Sequence, residues 1–235
     1  MEKIQLVALF ALMLLAGCKK EEQGSGTVGV QIAYKVDSKD LAFDVKDYIC
    51  EAGYPYEISK LEYYLSSFSM KDSKGKLHTV EGIFYVNAKR SETNLLTFTD
   101  VPAGDYTDLY FTLGLDTAKN KSNALEATVD NTNMAWPDMM GGGYHFMKFE
   151  GYFTNSSSNT GFALHLGRNG NAVMVHVTKS FSVKADQNNT LNLTMNINEW
   201  FKHPQVYDFV TDGQYSMSNN TAMQKLSANG VDVFY

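Results

Sequence analysis

The sequence contains few cysteines and few prolines. Its 235 residues include two cysteines, Cys18 and Cys50, and four prolines. If Cys18 is lipidated, as its surroundings indicate, Cys50 has no partner and an internal disulfide is excluded. Cys50 follows the apolar Tyr48 and Ile49, which predicts a small buried thiol rather than a reactive one. No proline-rich linker interrupts residues 28–235, so we expect these residues to form one domain.

Clusters of positive charge are also absent. The chain carries 20 Lys and Arg against 26 Asp and Glu, a formal net charge of −6. Without a basic patch to neutralise phosphates, nucleic acid is excluded as a partner. Motifs for a nucleophile elbow, a zinc protease, a P-loop or a dinucleotide fold are missing, which predicts that the protein is not an enzyme. The glycines at 141–143 precede a predicted strand instead of a helix, so they indicate a tight turn.

The first residues have the form of a bacterial lipoprotein signal. An apolar run at residues 4–15, too short for a bilayer core of ~30 Å, ends in Leu-Ala-Gly-Cys. We therefore predict a signal peptide at residues 1–17, acylation of Cys18, and a flexible tether over 18–27. Two or three acyl chains hold a protein firmly on a membrane. Lys19 after the cysteine favours the outer membrane, and the charged tether is similar to signals for display on the cell surface.

The rest of the chain has the alternation typical of strands. Short apolar-polar runs separated by turn residues predict an all-β fold, a single antiparallel two-sheet β-sandwich of immunoglobulin-like or Greek-key type with long loops. A hairpin is predicted around residues 71–76, and a short C-terminal helix over 221–229 with Asn220 as its cap. Six residues in the most regular alternations are the predicted core: Tyr63, Leu65, Phe111, Leu113, Phe149 and Leu193.

Several segments, in order, resemble a known family. They are residues 58–66 (ISKLEYYLS), 101–106 (VPAGDY), 111–116 (FTLGLD), 134–136 (MAW), 143–151 (GYHFMKFEG), 165–167 (HLG) and 198–201 (NEWF). Together they resemble the MbnP-like family of copper-binding lipoproteins over residues 28–235. The resemblance implies a β-sandwich at the cell envelope that binds copper through histidines. It also implies oxidation of a tryptophan, here Trp136, to kynurenine by a dihaem peroxidase-like partner, and a TonB-dependent receptor is a further candidate partner.

The sequence also departs from the family pattern. Where relatives carry a histidine on the first strand, this chain has residues 32–35 (IAYK). Two residues after Trp136, where relatives carry His or Trp, it has Asp138. The cysteine that follows His-Leu-Gly in some relatives is absent.

Three of the five histidines are candidate metal ligands. His165 belongs to the His-Leu-Gly motif, and alternation places it opposite the apolar side of its strand. His145 and His176 lie on neighbouring predicted strands, and if those strands are adjacent the three rings converge near Trp136. Imidazole with sulfur from Met134, Met139 or Met140, which lie near Trp136 in the sequence, suits Cu(I). His78 is expected on the solvated surface, and His203 in turn structure near Trp200, which is expected in the core.

Two functions remain open at this stage. One is copper handling by a lipid-anchored envelope protein. The alternative is a surface lipoprotein that binds a non-metal ligand or a partner through the loop that contains Trp136 and Gly141, because a tryptophan in a Gly/Pro/Met-rich loop is typical of binding sites.

Overall fold

The computed structural model describes residues 24–235. The predicted signal peptide and Cys18 lie outside the described residues. Strand β1 already begins at Ser25, so the tether predicted to end at residue 27 ends earlier. Among residues 24–235, no helix has the length and apolar character needed to cross a membrane.

Within residues 24–235, eleven strands and two short α-helices follow in chain order. The strands are β1 Ser25–Val36, β2 Lys39–Asp40, β3 Tyr48–Ile49, β4 Pro55–Asp72, β5 Leu77–Asn87, β6 Leu95–Pro102, β7 Gly104–Leu113, β8 His145–Asn155, β9 Ser158–Gly167, β10 Val173–Val183 and β11 Asn188–Asn196. Helix α1 is Val129–Asn133 and helix α2 is Asn220–Asn229. Turns of 3-10 helix cover Ser91–Thr93, Asp138–Met140, Ile197–Phe201 and Gly230–Asp232.

The strands form two sheets, which confirms the predicted β-sandwich. In the smaller sheet β1 lies between β11 on one edge and β6 and β2 on the other. The β1–β11 pair is parallel, whereas every other pair in both described sheets is antiparallel. The larger sheet is ordered β10-β7-β4-β8-β9, with β3 and β5 also paired to β4.

Strand β4 organises the larger sheet because of its length of 18 residues. Its Leu65 pairs with both β5 and β7, and its Glu62 pairs with both β5 and β8. A strand has two edges, so β7 and β8 share the edge opposite β5 and lie end to end along β4. The β7–β10 and β8–β9 pairs therefore occupy different parts of the sheet.

The core between the sheets is rich in aromatic side chains. All six predicted core residues are buried, at 0 to 3% exposure. Phe68 of β4 contacts Phe98 of β6 with ring centroids 4.8 Å apart, which joins the two sheets. Cys50 is buried as expected, and burial raises the pKa of its thiol. Trp200 is fully buried, which confirms its place in the core.

The C-terminal helix is close to its prediction but begins earlier. The Asn219 side chain accepts a hydrogen bond from the Ala222 N–H at 3.0 Å, so Asn219 and not Asn220 is the N-cap. Ala222, Met223 and Leu226 are buried, and α2 packs against β9. The helix therefore covers one end of the strand that carries His165.

Candidate metal centre

The Trp136 segment folds into a closed loop between α1 and β8. The Trp136 N–H donates to the Gly143 carbonyl at 2.9 Å, and the indole N–H donates to the Met140 carbonyl at 3.3 Å. Gly141 and Gly142 have φ of 110° and 67°, values that glycine adopts without strain. The loop thus turns back on itself and holds an indole that is only 2% exposed.

A β-bulge in β8 turns His145 toward β9. His145 pairs with Gly167 and Met147 pairs with Leu166, so Phe146 is an extra residue on β8. Strict alternation would put His145 on the same sheet face as Met147. The bulge instead places His145 on the face that carries Lys148 and His165, and those two residues pair with each other. The rings of His145 and His165 lie 4.9 Å apart between centroids and are nearly perpendicular, at 86°.

Each of these imidazoles has one nitrogen fixed by an oxygen acceptor. His145 Nδ1 lies 3.1 Å from the Met134 carbonyl, and His165 Nε2 lies 3.0 Å from Oε1 of Glu150. Carbonyl and carboxylate oxygens only accept hydrogen bonds, so both of these nitrogens carry the proton. In the neutral rings the lone pairs are therefore on His145 Nε2 and His165 Nδ1.

Those two lone-pair nitrogens are buried and have no hydrogen-bond partner among residues 24–235. A buried polar atom without a partner is uncommon in proteins because it costs free energy. A metal ion bound by imidazole usually finds the opposite ring nitrogen held by a carbonyl or carboxylate. The two rings therefore have the protonation and support that metal-binding histidines require.

Burial, together with the charges around the pair, keeps His145 neutral. Desolvation, followed by His165 and then Lys148, lowers the pKa of His145 to about 3. The Lys148 ammonium is buried and donates to the Asn133 carbonyl, and burial lowers its pKa. The hydrogen bond from His165, with a smaller contribution from Lys60 at 3.4 Å, lowers the pKa of Glu150. His145 is thus available as a neutral ligand at any physiological pH.

Trp136 packs against His145 of the pair. Its ring lies 4.7 Å from that of His145 between centroids, and the Arg168 guanidinium lies over its ring at 5.7 Å. Gly167 of β9 faces the indole, and a Cβ there would meet the ring. Trp136, His145 and His165 are therefore brought together, as the sequence predicted.

His176 does not join this group. Its Nε2 lies 2.6 Å from Oδ1 of Asp108, and its ring stacks on Tyr110 with centroids 4.4 Å apart. The side chain is 50% exposed, so it belongs to a polar surface cluster.

The sheet topology explains why the three-histidine prediction was wrong. Through the cross-strand pairs, His165 aligns with Glu62 of β4, while His176 aligns with Ser69. These β4 positions are 69 − 62 = 7 residues apart, roughly 20 Å at the usual strand rise. Strand β10 extends the far part of the sheet and is not adjacent to β8. A metal shared by all three residues is excluded.

The remaining histidines lie elsewhere. His78 is largely buried, at 13% side-chain exposure, and contacts Asp72 at 2.9 Å, which corrects the solvated surface position expected from the sequence. His203 is exposed and contacts Glu199 at 2.8 Å. Ligand atoms of Glu199, His203 and Asp232 lie within 4.8 Å of one another, which makes this surface cluster the natural control in metal titrations.

The expected methionines contribute differently. Met134 is fully buried and its carbonyl accepts the hydrogen bond from His145, Met140 is half-buried, and Met139 is 94% exposed.

Three residues around the site were not predicted from the sequence: Lys148, Glu150 and Arg168. The hairpin between β8 and β9 is the signal that could have found the first two, because its register pairs Lys148 with His165 and places Glu150 two residues further along the same face.

The fold and this pair of imidazoles define a β-sandwich protein with a buried, two-histidine candidate metal centre. The family model for MbnP matches residues 25–223, so the chain belongs to the MbnP family. The solved structure of MbnP from Methylosinus trichosporium is similar, with a TM-score of 0.54 and 17% identity, over 77% of this chain and 79% of that one. At that identity the likeness concerns the fold. A search of curated proteins found no match.

Proposed function

We propose that this protein is a copper-binding lipoprotein of the cell envelope, with His145 Nε2 and His165 Nδ1 as its protein ligands. The observation that carries the proposal is that two imidazoles lie 4.9 Å apart between centroids and each has a buried lone-pair nitrogen without a partner among residues 24–235. Copper is the metal that the sequence resemblance implies, and the chain belongs to the MbnP family. His176, which the sequence included in the ligand set, is left out.

The chemistry of the donors favours Cu(I). The two donors are neutral imidazoles, and imidazole suits copper well. Cu(II) prefers tetragonal sites with several nitrogen and oxygen ligands, whereas these two nitrogens are covered by an indole and by buried side chains. The Lys148 ammonium, which also lowers the pKa of His145, disfavours a second positive charge on the metal. With copper bound, the protein would store or carry the ion in the cell envelope.

The membrane anchor is part of the same proposal. Cys18 would hold the domain at the outer membrane, oriented either to the periplasm or to the cell surface. From Cys18 to the first described residue the chain advances 24 − 18 = 6 residues, at most about 20 Å when fully extended. The copper-binding domain would then lie close to the membrane.

A competition titration with a Cu(I)-specific chelator tests the proposal. The mature chain should bind one equivalent, and His145→Ala and His165→Ala should each weaken binding by ~10-fold or more, because each variant removes one of two ligands. His176→Ala and His203→Ala are the matched controls and should bind as the wild type does. Wild-type affinity in His145→Ala and His165→Ala, or loss in His203→Ala, would overturn the assignment.

A cavity beside the same loop supports the alternative function. It has a volume of about 510 Å³ and is lined by Trp136, Tyr144, Glu126 and Asp138, and no basic side chain lines it. Such a cavity suits a small organic cation, because the carboxylates of Glu126 and Asp138 attract positive charge. Titration of spermidine against the wild type and Glu126→Gln tests this function independently of copper.

A further inference from the structure

Gly167 is the point where strand β9 touches the indole of Trp136. A Cβ atom built on Gly167 would lie 2.4 Å from Cε3 and 2.5 Å from Cζ3 of Trp136. Ordinary van der Waals contacts to a Cβ begin at 3.4 Å. Any other residue at this position would therefore require the indole or the strand to move by about 1 Å.

The strand is held in place at this point. Gly167 pairs with His145 across the β8–β9 ladder, and the Asn171 side chain donates to the Gly167 carbonyl at 2.9 Å. Its neighbour Leu166 is fully buried. A shift of the strand would disturb the core and the ladder together, so the indole is the part that would have to move.

The indole is held as well, but by weaker contacts. Its N–H donates to the Met140 carbonyl at 3.3 Å in a loop that contains three glycines. The Arg168 guanidinium also lies over the ring, 5.7 Å from its centroid. Displacement from Gly167 would lengthen the contact with His145, which now has a centroid separation of 4.7 Å.

We infer that Gly167 is a positioning residue that seats Trp136 against His145 and so keeps water from the histidine pair. The backbone φ of Gly167 lies outside the left-handed range, so the requirement for glycine is steric and not conformational. The His-Leu-Gly segment then acts as one unit. His165 offers a ligand nitrogen, Leu166 anchors the strand in the core, and Gly167 leaves room for the indole. The part of this inference that concerns copper rests on the proposed function.

Strand β9 offers a matched control. Gly161 lies in the same strand, its φ is likewise outside the left-handed range, and a Cβ there would meet Tyr152 at 3.7 Å, an ordinary contact. Gly167→Ala and Gly161→Ala therefore make the same chemical change, with a clash in only the first.

Acrylamide quenching of tryptophan fluorescence measures the position of the indole without copper. The chain has two tryptophans, both buried, so the wild type and Gly161→Ala should be poorly quenched. In Gly167→Ala the quenchable fraction of the emission should rise, up to about half, because one of the two indoles is displaced. Equal quenching in Gly167→Ala and the wild type would overturn the inference.

A double-mutant cycle covers the case in which Gly167→Ala does not fold. If the alanine acts through the indole, it should be tolerated when Trp136 is first replaced by alanine. A Trp136→Ala, Gly167→Ala protein as stable as Trp136→Ala supports the inference. An equal loss of stability in both backgrounds would contradict it.

The copper readout separates this inference from the proposed function. Gly167→Ala should weaken Cu(I) binding by ~10-fold, with Gly161→Ala unchanged, because the shell around a metal controls solvent access and affinity. If the wild type binds no copper, the proposed function fails while the quenching result still decides the role of Gly167. If Gly167→Ala is quenched more but binds copper as the wild type does, the shielding part of the inference is wrong.

Discussion

Truncation of Phe111 to alanine tests the packing between the two sheets. The side chain is 3% exposed, stacks on Phe68 with centroids 5.4 Å apart, and meets the edge of Phe234 at 5.1 Å. A buried Phe→Ala change costs ~3–5 kcal/mol, and each aromatic pair contributes ~0.5–1.5 kcal/mol beyond its buried area. We expect a loss of about 4 kcal/mol in the free energy of unfolding.

Urea unfolding followed by circular dichroism measures this loss. The midpoint should fall while the slope stays constant, because the surface exposed on unfolding is nearly unchanged. The melting temperature should fall by roughly 8–16 °C for a domain of this size. Met174→Ala on neighbouring β10 is the control: its side chain is 80% exposed and should change stability by less than ~0.5 kcal/mol. A loss under about 1 kcal/mol for Phe111→Ala would mean that this face does not form the core.

Three further predictions concern charge, anchoring and modification. A hydrogen bond from Lys71, and then those from Thr107 and His176, lower the pKa of the Asp108 carboxyl. The charged carboxylate therefore stabilises the fold fully above the unfolded pKa near ~3.9, and this stabilisation is lost as pH falls below that value. Asp108→Asn should remove part of the acid destabilisation between about pH 5 and 2, and an unchanged acid-unfolding curve would contradict this. Cys18→Ser should abolish acylation and release the protein from membranes, and membrane association that survives a high-salt wash would refute the lipid anchor. Trp136 in protein from the native host should keep the mass of unmodified tryptophan, because Asp138 stands where relatives carry His or Trp, and a kynurenine mass would contradict this.

The parts of the fold that follow local alternation were predictable from the sequence. Val173, Val175 and Val177 of β10 are buried and alternate with the exposed Met174 and His176. The β4–β5 hairpin and the C-terminal helix follow from turn and capping residues in the same way. These features depend on residues that are close together in the sequence, so the local pattern of residue types is enough to predict them.

The candidate site was only partly predictable, because it depends on contacts between distant segments. His165 and Trp136 came from motifs, but the bulge that turns His145 toward them has no sequence signal of its own. The error at His176 arose from strand order, since alternation describes the faces of a strand and not which strand lies beside it. Glu150, which orients His165, required the register of β8 against β9.

The central claim is that His145 Nε2 and His165 Nδ1 together bind Cu(I). Nitrogen-15 NMR of the mature protein, titrated with Cu(I) without oxygen, observes each imidazole nitrogen separately. At one equivalent these two resonances should shift strongly, while His145 Nδ1 and His165 Nε2 stay protonated and the other three histidines are unchanged. Shifts confined to the other three histidines, or no shift at one equivalent, would contradict the claim.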